Sequence, residues 1–304
     1  MRAAAIVNPR AGGGAAGRRW QRVAGMVEER LGAVEVCFTE SPGHATLLAD
    51  KLAAAGFDPV IAAGGDGTLN EVANGILSGA HEVRVGVLPL ASGGDFARTM
   101  GLTGLPHAVE VLAAGRARPV DAVLARFSRR GNIVERFFVN AASIGLGAEV
   151  AQSMGGWCRV LPRSARYLAV AVQKVAVSRG HHVRLWLDGV KTAGCRVITI
   201  ALANGRYQGG GILIAPEARL DDGALDVTLV EYLGLAELAR NVNLLYSGAI
   251  YSHAKVRHWR AARVRAEAAS EAPLELDGEP VGTLPLEVEV RPQALRLIRP
   301  SRLP

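Results

Sequence analysis

The sequence predicts an N-terminal α/β domain, doubly wound around a mostly parallel sheet, followed by a mainly antiparallel β domain. Three observations predict it. In the first third, apolar runs alternate with helical patterns, and strands separated by helices need crossover connections. After about Pro119 the rhythm changes to longer apolar stretches with partial alternation and few helical segments between them. Finally, 304 residues exceed what one hydrophobic core usually serves, and 49% hydrophobic with 21% charged residues is the composition of a folded globular chain.

Taken in order, "AAAIVNP" reads as a strand, residues 15–31 as a helix, "AVEVCFT" as a strand and residues 43–55 as a helix. "DPVIAAGG" is the next strand, a helix near 68–78 follows, and "VRVGVLPL" closes the parallel series. Beyond it, "RPVDAVLARF", "IVERFFVNAA", "VRLWLDG", "CRVITIALANG", "LDVTLVEY", "KVRHWRAARVRAEA" and "PLEVEV" read as strands. "RSARYLAVAVQKVAVSRG" and "LAELARNVNLLYSGAI" are the two helical exceptions. The composition shift falls within 115–122, giving domains 1–120 and 121–304, with the last strand able to return to the first domain.

Cys37, Cys158 and Cys195 lie far apart without CxxC or metal spacing, as expected of reduced thiols in a cytosolic protein. Asn8 and Pro9 interrupt the first apolar run too early for a signal peptide, and nothing approaches the roughly 18 apolar residues of a spanning helix. A net charge of +7 favours anionic partners. No acidic residue falls between Glu149 and Asp188 or between Glu237 and Glu267, whereas Arg and Lys recur in both stretches. Trp157, Tyr167 and the aliphatic run around them, with Arg159, Arg163, Arg166, Lys174 and Arg179, have the make-up of an interfacial helix or of a core-packed helix with a basic outer face. No nucleic-acid module is present and 5% of residues are aromatic, which speaks against nucleic acid. The histidines form neither HExxH nor a serine-histidine pair, and no chemistry is assigned to them.

Chemistry concentrates in "VIAAGGDGTLNEVANGI", residues 60–76. In a doubly wound sheet, ligands bind beyond the carboxyl ends of the strands, where glycines allow positive φ and close approach to a phosphate while a helix N-terminus supplies N–H donors. Gly64, Gly65 and Gly67 fit such a cradle. It is neither a Walker A loop nor a GxGxxG fingerprint. Asp66 is tolerable beside phosphate if a Mg²⁺ intervenes or a loop N–H binds it. The bland alternative is a tight turn capped by Asp66 or Thr68. Two further glycine turns, "NPRAGGG" and "PLASGGDFAR", end the first and fourth strands, and a nucleotide triphosphate suits three converging turns.

"VNPRAGGG", "GGDGTLNEVANG" and "PLASGGDFAR" in this order, continued by "IAPEARLDDGALDV" and "LELDGEP", resemble the diacylglycerol kinase catalytic-domain family, bacterial lipid kinases in particular. GGDGT alone is shared with NAD kinases and phosphofructokinases, whose fold the N-terminal half then implies. The resemblance places Asn8, Thr39, Gly64, Gly65, Asp66, Gly67, Thr68, Asn70 and Ser92 around ATP. It implies Asp277 as general base with Glu279 beside it, and a largely structural Mg²⁺ held by Asp222 with the backbones of Arg219 and Ala224. One departure is visible: the family's Gly-Thr-Gly-Asn-Asp is here Ala91-Ser92-Gly93-Gly94-Asp95, so Gly94 replaces an amide side chain.

The expected function is therefore ATP-dependent phosphorylation of a lipid hydroxyl by a cytoplasmic protein with transient contact at the inner face of a membrane, its oligomeric state left open. An NAD kinase-like or small-alcohol kinase and an inactive nucleotide-binding module are the alternatives. "LELDGEP" also reads as a plain Asp-Gly hairpin, and "RLDDGALD" as an acidic surface turn.

Overall fold

A computed structural model describes residues 2–91, 94–153 and 163–301. In chain order its elements are β1 (Ala3–Val7), α1 (Ala15–Leu31), β2 (Val34–Phe38), α2 (His44–Ala54), β3 (Val60–Gly64), α3 (Asp66–Ser78), β4 (Arg84–Pro89), α4 (Asp95–Thr99) and α5 (Leu105–Ala114). Then come β5 (Ala117–Arg129), β6 (Asn132–Phe138), β7 (Ala141–Gly145), α6 (Leu146–Ser153), α7 (Arg163–Val177), β8 (His181–Leu187), β9 (Val190–Ala203), β10 (Tyr207–Gln208) and β11 (Ile212–Leu213). β12 (Leu225–Glu231), α8 (Leu235–Asn241), α9 (Leu244–Ser247), β13 (Val256–Ala261), β14 (Arg263–Ala268), β15 (Pro273–Leu276) and β16 (Glu279–Ile298) complete the chain. It divides into two compact units, Met1–Ala122 with Pro292–Pro304, and Val123–Arg291.

In the first unit β1 lies between β2 and β3, with β4 beyond β3, all parallel. Arg296 and Leu297 of β16 add to β4 in the same sense. β1 and β3 are buried along their whole length because helices cover both faces, which explains their unbroken runs of Ala, Val and Ile. α1 contributes Ala16, Trp20, Val23 and Val27, the stripe expected of a helix packed on one side. α3 packs so closely on α2 that a Cβ at Gly75 would run into the Thr46 carbonyl and the Ala49 side chain. Glu71 locks the same pair of helices: its Oε1 accepts the Gly43 N–H at 2.9 Å and its Oε2 the Ala45 N–H at 3.0 Å, at the start of α2.

The second unit is antiparallel. β9 pairs β7, β7 pairs β15, β15 pairs β16, β16 pairs β14, β14 pairs β8, and β8 returns to β9. The circuit closes because β9 spends its first half on β8 and its second on β7, with a register shift in β8 between Leu185 and Trp186. Closure removes the free edges that an open sheet would present. Inside lie Phe127, Phe138, Ile144, Leu185, Ile200, Leu274 and Leu276, each no more than 1% exposed. At about 1.5–3 kcal/mol per fully buried large apolar side chain, this cluster is the main stabilising term of the unit. β12 and β13 extend the sheet outward from β9.

The two-part α/β and antiparallel β architecture is the predicted one, with local differences: α4, α5 and α6 are helices that the sequence pattern did not give, and three predicted elements change. α3 starts at Asp66, two residues ahead of the predicted start, because extended Gly65 takes the N-cap position. "LAELARNVNLLYSGAI" is not one helix but α8, α9 and a single 3₁₀ turn at Ile250–Ser252; left-handed Gly248, φ 80°, stops α9. "KVRHWRAARVRAEA" breaks at Ala262 into β13 and β14, which pair with different strands. Among the described residues no helix is long and apolar enough to cross a membrane. Cys37 and Cys195 are free thiols, as expected. Cys158, Trp157 and Arg159 lie outside the described residues.

Gly75→Ala therefore overpacks the α2–α3 contact. The expected loss is about 1–3 kcal/mol, read as a lower urea midpoint at unchanged slope.

Candidate functional site

The register of the parallel strands brings the ends of β1, β3 and β4 to one rim. Asn8 follows β1, and its Nδ2 donates to Thr68 Oγ1 at 3.2 Å, joining the first glycine turn to the first turn of α3. The Asn8 Oδ1 accepts the Arg10 N–H at 3.1 Å and so shapes the glycine turn itself. Thr39, just past β2, donates its N–H to the Val7 carbonyl at 2.9 Å. The third turn is tied to the second by the Ala91 N–H, which donates to the Gly64 carbonyl at 3.0 Å. Ser92 lies outside the described residues.

Two expectations for the central turn change. Gly64, Gly65 and Gly67 are not left-handed: Gly65 has φ −115°, and none of the three appears among the positive-φ residues. Gly64 is glycine because a Cβ there would collide with the Thr68 hydroxyl. Asp66 caps a helix, but not its own. Its Oδ2 accepts the Asp95 N–H at 3.1 Å and its Oδ1 the Phe96 N–H at 3.3 Å, at the start of α4. This is the loop N–H partner that the sequence admits as an alternative to a metal. α3 itself opens without a side-chain cap, as does a helix whose N-terminus receives an anion. Asn70 is fully buried, its Oδ1 and carbonyl accepting from the Asn74 amide at 3.2 and 2.8 Å. Asp95 pairs with Arg98 at 3.0 Å.

In the second unit Asp277 and Gly278 form the two-residue turn between β15 and β16, with φ 49° and 83°. Both values are those of a type I′ hairpin, so "LELDGEP" is the hairpin that its Asp-Gly pair signals. The Asp277 carboxylate is 5% exposed. Its Oδ1 accepts the N–H groups of Asn140 and Ala141 at 2.9 and 3.0 Å, and its Oδ2 that of Val139 at 3.0 Å. These bonds fix the carboxylate between β6 and β7. Glu279 turns to Arg136 at 2.7 Å.

At the acidic turn, the Asp222 Oδ1 accepts the Ala224 N–H at 3.3 Å, and its Oδ2 pairs with Arg260. Among the described residues, buried Asp226 has no hydrogen bond to either carboxylate oxygen, its nearest cation being Arg260 at 3.9 Å. Burial foremost, with Asp222 and Glu217 adding to it, pushes the Asp226 carboxyl up to about 6, although Arg260 pulls it down. Among the described residues no group of three or more His, Cys, Asp or Glu side chains could hold a metal; a ligand set of one carboxylate and two carbonyls is of another kind.

The sequence did not single out a cavity of about 110 Å³ in the second unit. α7, α8 and α9 line it with strands β7, β9, β11 and β12. Its wall is almost wholly apolar, Leu146, Ile198, Ile214, Val230 and Leu245 among others, with Ser143, Thr199, Gln208, Asn241 and His253 as its few polar members. Tyr167, Leu168 and Ala171 of α7 belong to this wall, so part of the suspected interfacial helix packs inward, while Val172 and Val177 stay exposed. Glu275 lies behind Gln208 and accepts from its amide. A carboxyl between the leucines of "LEL" is the sequence signal that could have found it, since a charged group inside a buried strand needs a reason.

The diacylglycerol kinase catalytic domain profile matches residues 2–125, and the YegS C-terminal NAD kinase beta sandwich-like domain profile matches residues 140–299. The chain is 30% identical over 266 residues, 88% of its length and 84% of the relative's, to a Pseudomonas aeruginosa (strain UCBPP-PA14) protein named "Probable lipid kinase YegS-like". It is 30% identical over 285 residues, 93% and 90% of the two chains, to the "Diacylglycerol kinase" of Staphylococcus carnosus (strain TM300). The crystal structure of a diacylglycerol kinase from Bacillus anthracis strain Sterne shares the fold, with a TM-score of 0.74 at 20% identity over 100% of this chain and 98% of the other. With one family domain matched in each half and these two relatives along most of its length, the chain belongs to the diacylglycerol kinase catalytic-domain family and is a kinase, a phosphotransferase with an alcohol acceptor.

Proposed function

We propose that this kinase moves the γ-phosphoryl group of ATP to the hydroxyl of a lipid whose hydrocarbon chain occupies the cavity of the second unit. The observation that carries the reading is that cavity: almost wholly apolar, of a size that takes up a short stretch of hydrocarbon, with a few polar groups such as Ser143 and Gln208 in its wall. Asn8, Thr39, Gly64, Gly65, Asp66, Gly67, Thr68 and Asn70 bind the nucleotide, the N-terminus of α3 meeting its phosphates; Ser92 belongs to the same set by resemblance.

In the reaction the acceptor oxygen bonds to the γ-phosphorus as the bond to the β,γ-bridging oxygen breaks, and ADP leaves. The hydroxyl proton passes to the Asp277 carboxylate and then to water. A loose phosphoryl-transfer transition state asks for alignment more than for a strong base. A carboxylate fixed by three backbone donors supplies alignment. Glu279 holds Arg136 beside the turn.

Magnesium fits the acidic turn chemically, because the buried Asp226 carboxylate lacks any hydrogen bond among the described residues. Asp222 with the carbonyls of Arg219 and Ala224 would hold it, and the ion would neutralise the local negative charge. The bilayer is reached transiently; no span is needed for that.

Transfer of labelled phosphate from ATP to a lipid panel tests the main reading. Asp277→Asn is expected to lower kcat by about 10²- to 10⁴-fold with ATP affinity retained. Wild-type protein that binds ATP and labels no lipid overturns the reading. Asp66→Asn is expected to weaken ATP binding, because α4 loses the charged acceptor at its start; calorimetric titration with ATP checks it. Magnesium should raise the melting temperature of the wild type but not of Asp222→Asn. At a hundredfold excess over Kd the gain is about 2.7 kcal/mol.

A further inference from the structure

Glu275 is 1% exposed and sits on β15 directly opposite Ser143 of β7. Its Oε1 accepts from the amide of Gln208, a residue of the cavity wall. Its Oε2 accepts the N–H of Gly278, the second residue of the reactive turn, at 2.5 Å. One carboxyl thus spans from Gln208 in the cavity wall to the backbone beside Asp277. The hairpin does not require it. Asp-Gly already selects the turn, and the Asp277 N–H is bonded to the Ala141 carbonyl at 2.8 Å. A leucine there would match its neighbours and would not need desolvating. A buried carboxyl that the fold can do without, bonded at both ends to groups next to the proposed chemistry, calls for a functional account.

We propose that Glu275 is a positioning residue which, through Gln208 and the Gly278 N–H, couples the acceptor cavity to the Asp277 turn and works in its neutral, protonated form. The proposal rests on the reading of Asp277 as proton acceptor and of the cavity as the acceptor site. Protonated, the carboxyl still accepts from Gly278 and Gln208 and has a proton to donate toward the buried Ser143 hydroxyl opposite it, which has no hydrogen-bond partner among the described residues. Ionised, it would set a second negative charge beside Asp277.

The surroundings favour the neutral form. Burial above all, with the Asp277 charge adding, pushes the carboxyl up to about 8, against the opposing hydrogen bonds from Gly278 and Gln208. From β7 and β10 it faces Ser143 and Gln208, which do not titrate here. On its own hairpin the charged neighbour is Asp277, while Glu279 at the head of β16 is engaged with Arg136 of β6.

The test is kcat and KM against pH, from about pH 6 to 10, for the wild type, Glu275→Gln, Glu275→Leu and Asp277→Asn, with ATP and the best lipid acceptor. In the wild type kcat is expected to fall as pH rises through about 8, with KM for ATP unchanged. Glu275→Gln, neutral at every pH, is expected to lose this alkaline fall. Glu275→Leu is expected to lower kcat by about 10- to 100-fold at pH 7, as misplacement of a reactive group does, and Glu275→Gln to recover most of that loss. A Glu275→Gln profile that superimposes on the wild type, or a wild type without the alkaline fall, overturns the proposal. Should Glu275→Leu not fold, the Glu275→Gln profile decides alone. An Asp277→Asn enzyme with full activity overturns the parent reading of Asp277, so the two failures are told apart.

Discussion

Carboxylates that accept backbone N–H groups hold the loops of this protein. Asp66 binds the start of α4, Glu71 the start of α2, Asp58 the Arg84 N–H, and Asp277 the run 139–141. Asp188, in a second Asp-Gly hairpin, binds the N–H groups of Ala262 and Arg263 at 3.1 and 2.8 Å. A hydrogen bond to a charged group contributes about 1.5–3 kcal/mol, roughly twice a neutral one. More important here, the donors belong to main chain in turns and helix ends, which otherwise has no partner in a regular ladder. The anions therefore convert irregular backbone into rigid backbone, and glycine turns can be both open to a ligand and fixed in place.

Much of the architecture is legible in the sequence because burial on two faces and burial on one face leave different patterns. The inner parallel strands β1 and β3 are uninterrupted apolar runs, whereas strands such as β8 alternate. The role of Asp66 was harder to read. Its partners at Asp95 and Phe96 stand 29 and 30 positions away, and only the parallel register of β3 with β4 brings them near. The single helix expected over "LAELARNVNLLYSGAI" fails for a local reason, since Gly248 offers a left-handed stop that an apolar count does not see. The cavity escaped the sequence altogether, because its wall is assembled from strands and helices more than a hundred positions apart, each of which reads as ordinary core.

The second unit shows how a β domain makes room without weakening itself. Its strand circuit closes on a core of Phe, Leu and Ile, and the cavity lies to one side, where α7, α8 and α9 meet the sheet. The polar residues of its wall are few and scattered: Ser143 on β7, Thr199 on β9, Gln208 on β10, Asn241 on α8 and His253 ahead of β13.

The left-handed backbone of Asp277 carries a consequence for experiment. Asparagine is enriched in that conformation and glycine adopts it freely, whereas alanine or a longer acid meets a steric penalty before any chemistry is altered. An alanine scan across this hairpin would therefore mix conformational strain with lost reactivity, while asparagine and glycine substitutions read the two apart.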